Sequence, residues 1–375
     1  MDKRIVRLSK PSIDDEELQA IKRVCDDGCL AGTCEEVLKF EEAFASFVGS
    51  KYAVATSSCT TALHLAVMCA KNLPNYKKGK VVVPAYTFPA TINAPLYCGC
   101  DVEICDVHQD TWNMDIETIR NRSPSILMPV HCFGNPSGIQ ELMDYACDVD
   151  SIVIEDAACA LPAYYTGKHA GTFGDIGCYS FYAIKNLCTG EGGMLVTDNK
   201  EIAEEAKSLS DFGKTSVGCK PSFGRVGYNY RMSAIQAAMG LVQLKKLPEM
   251  HAKRKKIAEL YYKTINGGAS DFIIPQAFDV EADPAYQRYA VRLSSGFNRD
   301  RIMEKLKEYG VQTSIGTHDL SSIPLYNKYH KGAEVSKMLY QQSISLPIYP
   351  DMPHDDVEYV LECLKQSLVE AWKTW

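Results

Sequence analysis

The strongest constraint on how this chain folds is a recurring order of elements. Short apolar runs of strand length alternate with helical segments: Tyr52 to Thr56 before Thr61 to Ala70, and Lys80 to Pro84 before a helix ending at Tyr97. The order continues with Val102 to Cys105 before Ile116 to Arg120, Ile126 to Val130 before Ile139 to Cys147, and then Ile152 to Glu155. Apolar strands separated by helices define a mostly parallel sheet covered on both faces. Such sheets bind ligands beyond the carboxyl ends of their strands. The loops after Thr56, Pro84, Val130, Glu155 and Phe181 therefore converge, and Thr60, Phe88, His131, Asp156 and Lys185 are expected near one crevice.

Other segments fill in the outline. Ser12 before Asp14-Asp15-Glu16-Glu17 predicts a serine-capped first helix with acids suited to its dipole, and Glu35 to Val48 predicts a second helix. Met194 to Thr197 predicts a strand and Lys200 to Leu209 a helix, while the glycine, proline and polar residues of Ser216 to Gly227 predict a loop. From Ser233 to about Ile265 the apolar spacing is helical, with a break expected near Pro248. That break is the expected crossover between a large domain, 1–247, and a smaller α/β unit, 248–375. The smaller unit is predicted to hold a strand at Tyr289 to Leu293 and helices near Arg299 to Tyr309 and Asp355 to Trp372.

Composition excludes several function classes. With 375 residues, 46% of them apolar and 23% charged, the chain reads as a globular enzyme of more than one domain. A net charge of -7 without a basic run argues against a nucleic-acid partner, and no segment suggests a membrane. Met1 to Ser12 has no apolar core of a secretory signal, so the fifteen cysteines read as reduced thiols of a cytoplasmic protein. Cys98, Cys100 and Cys105 lack a second Cys/His pair at zinc spacing, and no metal site is expected.

The chemistry lies in the run Cys178 to Leu187, where Lys185 ends an apolar, aromatic stretch. Burying an ammonium is costly, and the usual response is a lowered pKa that makes the amine a nucleophile. Asp156, after the apolar Ile152-Val153-Ile154, needs a partner to stay ionised, and a protonated ring nitrogen supplies one. At an effective dielectric near 20, charges about 4 Å apart gain on the order of 4 kcal/mol, enough to keep a pyridine protonated. The turn Ser57-Ser58-Cys59-Thr60 at a helix start offers free N–H groups to a phosphate, with the Ser180 hydroxyl nearby. Together these imply pyridoxal 5′-phosphate joined to Lys185, its ring nitrogen facing Asp156, Phe88 stacked on the ring and its phosphate at Cys59 and Thr60. A simple nucleotide-binding module is disfavoured, because neither GxGxxG after the first strand nor GxxxxGK[ST] occurs.

The sequence resembles the DegT/DnrJ/EryC1/StrS sugar aminotransferases of PLP fold type I from about Ile5 to Leu368. The resemblance rests on Thr60-Thr61-Ala62-Leu63-His64-Leu65, Tyr86-Thr87-Phe88, Met128-Pro129-Val130-His131, Glu155-Asp156-Ala157-Ala158, Ser180-Phe181 with Lys185-Asn186, Thr189-Gly190-Glu191-Gly192-Gly193, and Gly227 through Met232. It implies a large domain on a mostly parallel seven-stranded sheet flanked by helices, with a smaller C-terminal domain. Lys185 is then the Schiff-base lysine and the acid/base of the proton shift, and the cofactor alternates with pyridoxamine 5′-phosphate. Asn229 is expected to reach the cofactor phosphate of a neighbouring subunit, giving a homodimer with shared sites.

The donor so implied is L-glutamate, and the acceptor a 3-keto or 4-keto nucleotide-linked deoxyhexose of amino sugar, O-antigen or glycan biosynthesis. Deoxygenating members carry histidine where this chain has Lys185, so transamination is the reading. Amination of a keto-cyclitol and a PLP-binding sensor without turnover are the alternatives. Two positions depart from the family pattern: Cys159 stands where glutamine, glutamate or histidine is common near the cofactor's phenolic oxygen, and Thr313 to His318 differs on the acceptor side. His318 remains a candidate substrate contact.

Overall fold

The computed structural model describes residues 4–217, 220–267, 272–330 and 332–373. Its centre is a seven-stranded sheet in the order Tyr52–Thr56, Gly193–Thr197, Ile176–Ser180, Ile152–Asp156, Ile126–Leu127, Lys80–Pro84, Asp101–Cys105. Among the described residues of this sheet, six strands run one way and only Gly193–Thr197 opposes its neighbours. Side-chain alternation sorts each strand between two apolar layers. Ile152 and Ile154 pack with Leu63 and Leu65 of the helix Cys59–Ala70, whereas Val153 faces Leu142 and Ala146 of the helix Ile139–Asp148. Each such fully buried side chain contributes about 1.5–3 kcal/mol, which fixes the strand register. The sheet is the fold type I framework that the sequence implied.

Several local expectations are corrected. The first helix, Asp15–Asp27, is capped by Asp14 rather than Ser12: Asp14 Oδ1 accepts from Glu16 N, and Glu17 Oε2 accepts from Asp14 N, both at 2.9 Å. Ser12 instead donates to Asp351 Oδ2 at 2.8 Å. The expected helix from Ile116 is one 3-10 turn, Ile116–Thr118, and the strand from Ile126 pairs only through Leu127, with a separate bridge from Val130 to Asp156.

The expected loop from Ser216 is largely a hairpin, Lys214–Val217 against Lys220–Phe223, with residues 218 and 219 outside the described residues. It forms because Gly213 and Gly224 bond backbone to backbone at 3.0 Å, where a side chain on Gly213 would strike Arg225 O. Cys29 and Cys34 form a disulfide, so the reading of every cysteine as a reduced thiol is wrong; the turn that follows Gly28 brings their Cα atoms to 5.9 Å.

The helix Ala234–Asn266 runs through Pro248 without the expected break. Proline removes one backbone bond and costs about 3 kcal/mol, but burial on both sides exceeds this. Leu244, Leu247 and Met250 pack with the helices of the large sheet, while Ile257, Tyr261 and Ile265 pack into the C-terminal core. That core surrounds an antiparallel sheet ordered Ile273–Pro275, Tyr289–Leu293, Ser343–Leu346, Ser314–Ile315. A further short pairing, His318–Asp319 with Tyr86–Thr87, ties the C-terminal part to a loop at the carboxyl end of the main sheet.

Candidate active site

At the carboxyl ends of the parallel strands lies a cavity of about 390 Å³. Ser58, Cys59, Thr60, Asp156, Ser180 and Lys185 all line it. Seven of the candidate residues named from the sequence therefore share it: Cys59, Thr60, Phe88, Asp156, Cys159, Ser180 and Lys185. Asn229 and His318 do not line it. Asn229 is exposed on a segment bridged to Asp211, and His318 sits at the rim with its ring 5.9 Å from that of Phe88. His131, also expected at the crevice, turns into the core, where Nε2 lies 2.7 Å from Glu155 Oε2.

Asp156 closes its strand and is buried. Its Oδ2 accepts a 2.8 Å hydrogen bond from the Thr91 hydroxyl and its Oδ1 one of 3.1 Å from Ala158 N. Both partners are neutral. Burial pushes the carboxyl above the usual range, only partly offset by those two bonds and then by the charges of Lys185 and His131. A carboxylate in this state gains from a cation placed against it inside the cavity.

Lys185 lies beyond the strand Ile176–Ser180, on an irregular stretch, and is half-buried rather than enclosed. Its Nζ donates to Cys159 Sγ at 3.0 Å, which aims the amine along the cavity wall. On the same cavity, the helix Cys59–Ala70 opens on a capping box in which Ser58 Oγ accepts from Thr61 N and Thr61 Oγ1 accepts from Ser58 N. The N–H groups of Cys59 and Thr60 have no partner within an α-helix and sit at its positive end. Gly193 allows this close approach, since a Cβ there would lie 2.4 Å from Ser58 C and 2.5 Å from Cys59 N.

Sequence reasoning missed Thr91 and Arg288. Thr91 belongs to the helix Ala90–Tyr97 and reaches Asp156 across the end of the intervening strand Ile126–Leu127. Arg288 lines the cavity while its Nη1 donates to Ser314 Oγ, Ile315 O and Gly316 O at 2.9, 3.2 and 3.0 Å. Their separations in sequence, 65 positions for Thr91 and Asp156 and 26 for Arg288 and Ser314, left no local pattern to find.

The cavity fits pyridoxal 5′-phosphate: an amine for the aldehyde, a buried carboxylate short of a cation, and an anion-binding helix start stand around one space. Fold and site together define a PLP-dependent transaminase of fold type I. The chain belongs to the DegT/DnrJ/EryC1/StrS aminotransferase family, whose model matches residues 11–365. It is 33% identical to the spore coat polysaccharide biosynthesis protein SpsC of Bacillus subtilis, over 97% of both chains. It is 28% identical to the GDP-perosamine synthase of Escherichia coli O157:H7, over 97% of this chain and 98% of that one. The structure superposes on the aminotransferase TlmJ of Streptoalloteichus hindustanus with a TM-score of 0.90 at 26% identity, covering 98% and 99% of the chains. Among the described residues no helix is long and apolar enough to cross a membrane.

Proposed function

We propose that this transaminase moves an amino group from L-glutamate to a keto group at C3 or C4 of a nucleotide-linked deoxyhexose, acting in the cytoplasm as a homodimer. The observation that carries the reading is the placement of Lys185 and Asp156 on one cavity, with a helix N-terminus across from them. Bound there, pyridoxal phosphate supplies the electron sink that lets an amino group leave one carbon and arrive at another. Lys185 Nζ would be the group that holds the cofactor and the acid/base that moves the proton between carbon atoms. Asp156, oriented by Thr91 and Ala158, would hold a proton on the ring nitrogen, and the N–H groups of Cys59 and Thr60 would bind the phosphate with Ser180. Phe88 lines the cavity and, at 62% exposure in the single chain, has apolar surface that would cover one face of the ring.

Lys185 and Arg288 are the two lysine or arginine side chains lining the cavity among the described residues. Arg288 thus supports an anionic substrate, either a carboxylate of glutamate or the diphosphate of a nucleotide sugar. GDP-perosamine synthase among the relatives supports the nucleotide-sugar class. Exposed Asn229 is available to a second subunit, where it completes the phosphate site.

The test is a panel of GDP-, UDP- and dTDP-linked 3-keto and 4-keto deoxyhexoses, with a keto-cyclitol alongside, each assayed for glutamate-dependent amination. Amination of a nucleotide sugar is expected. Amination of the cyclitol alone would overturn the acceptor, and absence of any half-reaction with glutamate would overturn the enzyme reading.

A further inference from the structure

We propose that Cys159 is a site of oxidative modification at which Lys185 captures the oxidised sulfur in a covalent sulfur–nitrogen cross-link. Lys185 Nζ and Cys159 Sγ stand 3.0 Å apart on the wall of the cavity. Neither residue is buried, so a small hydroperoxide entering the cavity meets both. Two other thiols line the same space, but Cys59 and Cys132 are buried, and burial pushes each well above the usual thiol range. Thiolate is the form that reacts, so burial protects those two, and Cys159 is the partly exposed thiol of this cavity that a hydroperoxide reaches.

The chemistry balances with a hydroperoxide as the oxidant. Sulfur attacks the O–O bond, gains a hydroxyl as sulfenic acid and loses two electrons, while the peroxide is reduced and leaves as water or an alcohol. The lone pair of the Lys185 amine then attacks that sulfur. The S–O bond breaks, the departing hydroxide takes a proton from nitrogen as a second water, and an S–N bond remains. No other chain movement than closure of the 3.0 Å contact is required. The product removes both the thiol and the amine from the cavity, and a dithiol reductant reverses it by attack on sulfur.

A consequence rests on the proposed role of Lys185: the link forms only while the amine is not engaged with the cofactor aldehyde. Glutamate, by converting the cofactor to its amine form, would then open the site to oxidation.

The experiment treats the full, cofactor-loaded protein with hydrogen peroxide, with and without glutamate, and maps peptides by mass. The expected result with glutamate is a Cys159 peptide joined to a Lys185 peptide, two hydrogen atoms lighter than the separate pair and parted by dithiothreitol. Cys159→Ser should give no link and lose its own starting activity about tenfold more slowly under peroxide. Lys185→Arg, read by mass alone, should give no link and accumulate Cys159 sulfinic acid.

Cys159 found in the wild type only as sulfinic acid, or only in a disulfide with Cys132, would overturn the proposal, as would a link that survives in either variant. The glutamate arm separates the two readings. A link formed equally without glutamate contradicts the cofactor role of Lys185 and leaves the cross-link standing.

Discussion

The Thr91 hydroxyl donates to Asp156 Oδ2 at 2.8 Å while its own oxygen lies 2.9 Å from Thr87 Oγ1, so a short chain of hydroxyls steadies the one carboxylate buried in the cavity floor. Removing a hydrogen bond to a charged group costs about 1.5–3 kcal/mol. Thr91→Val keeps the shape and deletes the donor. If that loss falls on the protonated ring nitrogen, the single-turnover amino transfer from glutamate should slow about ten- to hundredfold. An unchanged rate would show that Asp156 needs no help from Thr91.

The pH dependence of folding follows from Asp156. Burial raises its carboxyl in the cofactor-free chain. The folded state then keeps a proton that the unfolded state has lost, so stability falls as pH rises from the ordinary carboxylate value through the raised one. Asp156→Asn deletes this contribution. Urea unfolding of the two cofactor-free proteins should agree at low pH, with the variant pulling ahead toward neutral pH, and parallel curves would contradict the sign.

Gly193 is the point where the sheet meets the helix start at Ser58 and Cys59, the proposed phosphate site. A Cβ at 2.4 Å from Ser58 C meets backbone, which cannot swing aside. Gly193→Ala should therefore shift the start of the helix and weaken pyridoxal phosphate binding, at an overpacking cost of about 1–3 kcal/mol. Equilibrium dialysis with the cofactor checks this, and undiminished affinity would dissociate the helix start from the phosphate.

Much of the framework was legible because parallel strands are apolar throughout. Tyr52–Thr56 and Lys80–Pro84 begin and end where their apolar runs do. Lys185, Asp156 and the turn at Cys59 were legible too, since each is a polar group attached to such a run. What escaped depends on contacts between distant residues. Helix continuity at Pro248 is decided by two separate cores, the capping role of Asp14 over Ser12 by a reciprocal bond with Glu17, and Arg288 by the sheet that brings Ser314 to it. The Cys29–Cys34 bond depends on a turn geometry that spacing alone does not specify.

A shared site makes a prediction about mixed subunits. If the exposed side chain serves the partner's site, as proposed, Asn229→Ala should weaken retention of pyridoxal phosphate. At a pyridoxal phosphate concentration too low to load Asn229→Ala, that protein and Lys185→Ala, mixed and re-equilibrated, should regain activity, since one site of each mixed dimer has both native residues. Random pairing sets the recovery at about one quarter of wild type. No recovery on mixing would place Asn229 outside a shared site.

The central claim is that Lys185 is the amine that holds the cofactor. Borohydride reduction of the protein with pyridoxal phosphate, followed by peptide mapping, locates the attached pyridoxyl group directly. The account predicts a single labelled lysine, Lys185, and no label in Lys185→Ala. A label on another lysine, or none in the wild type, would contradict it.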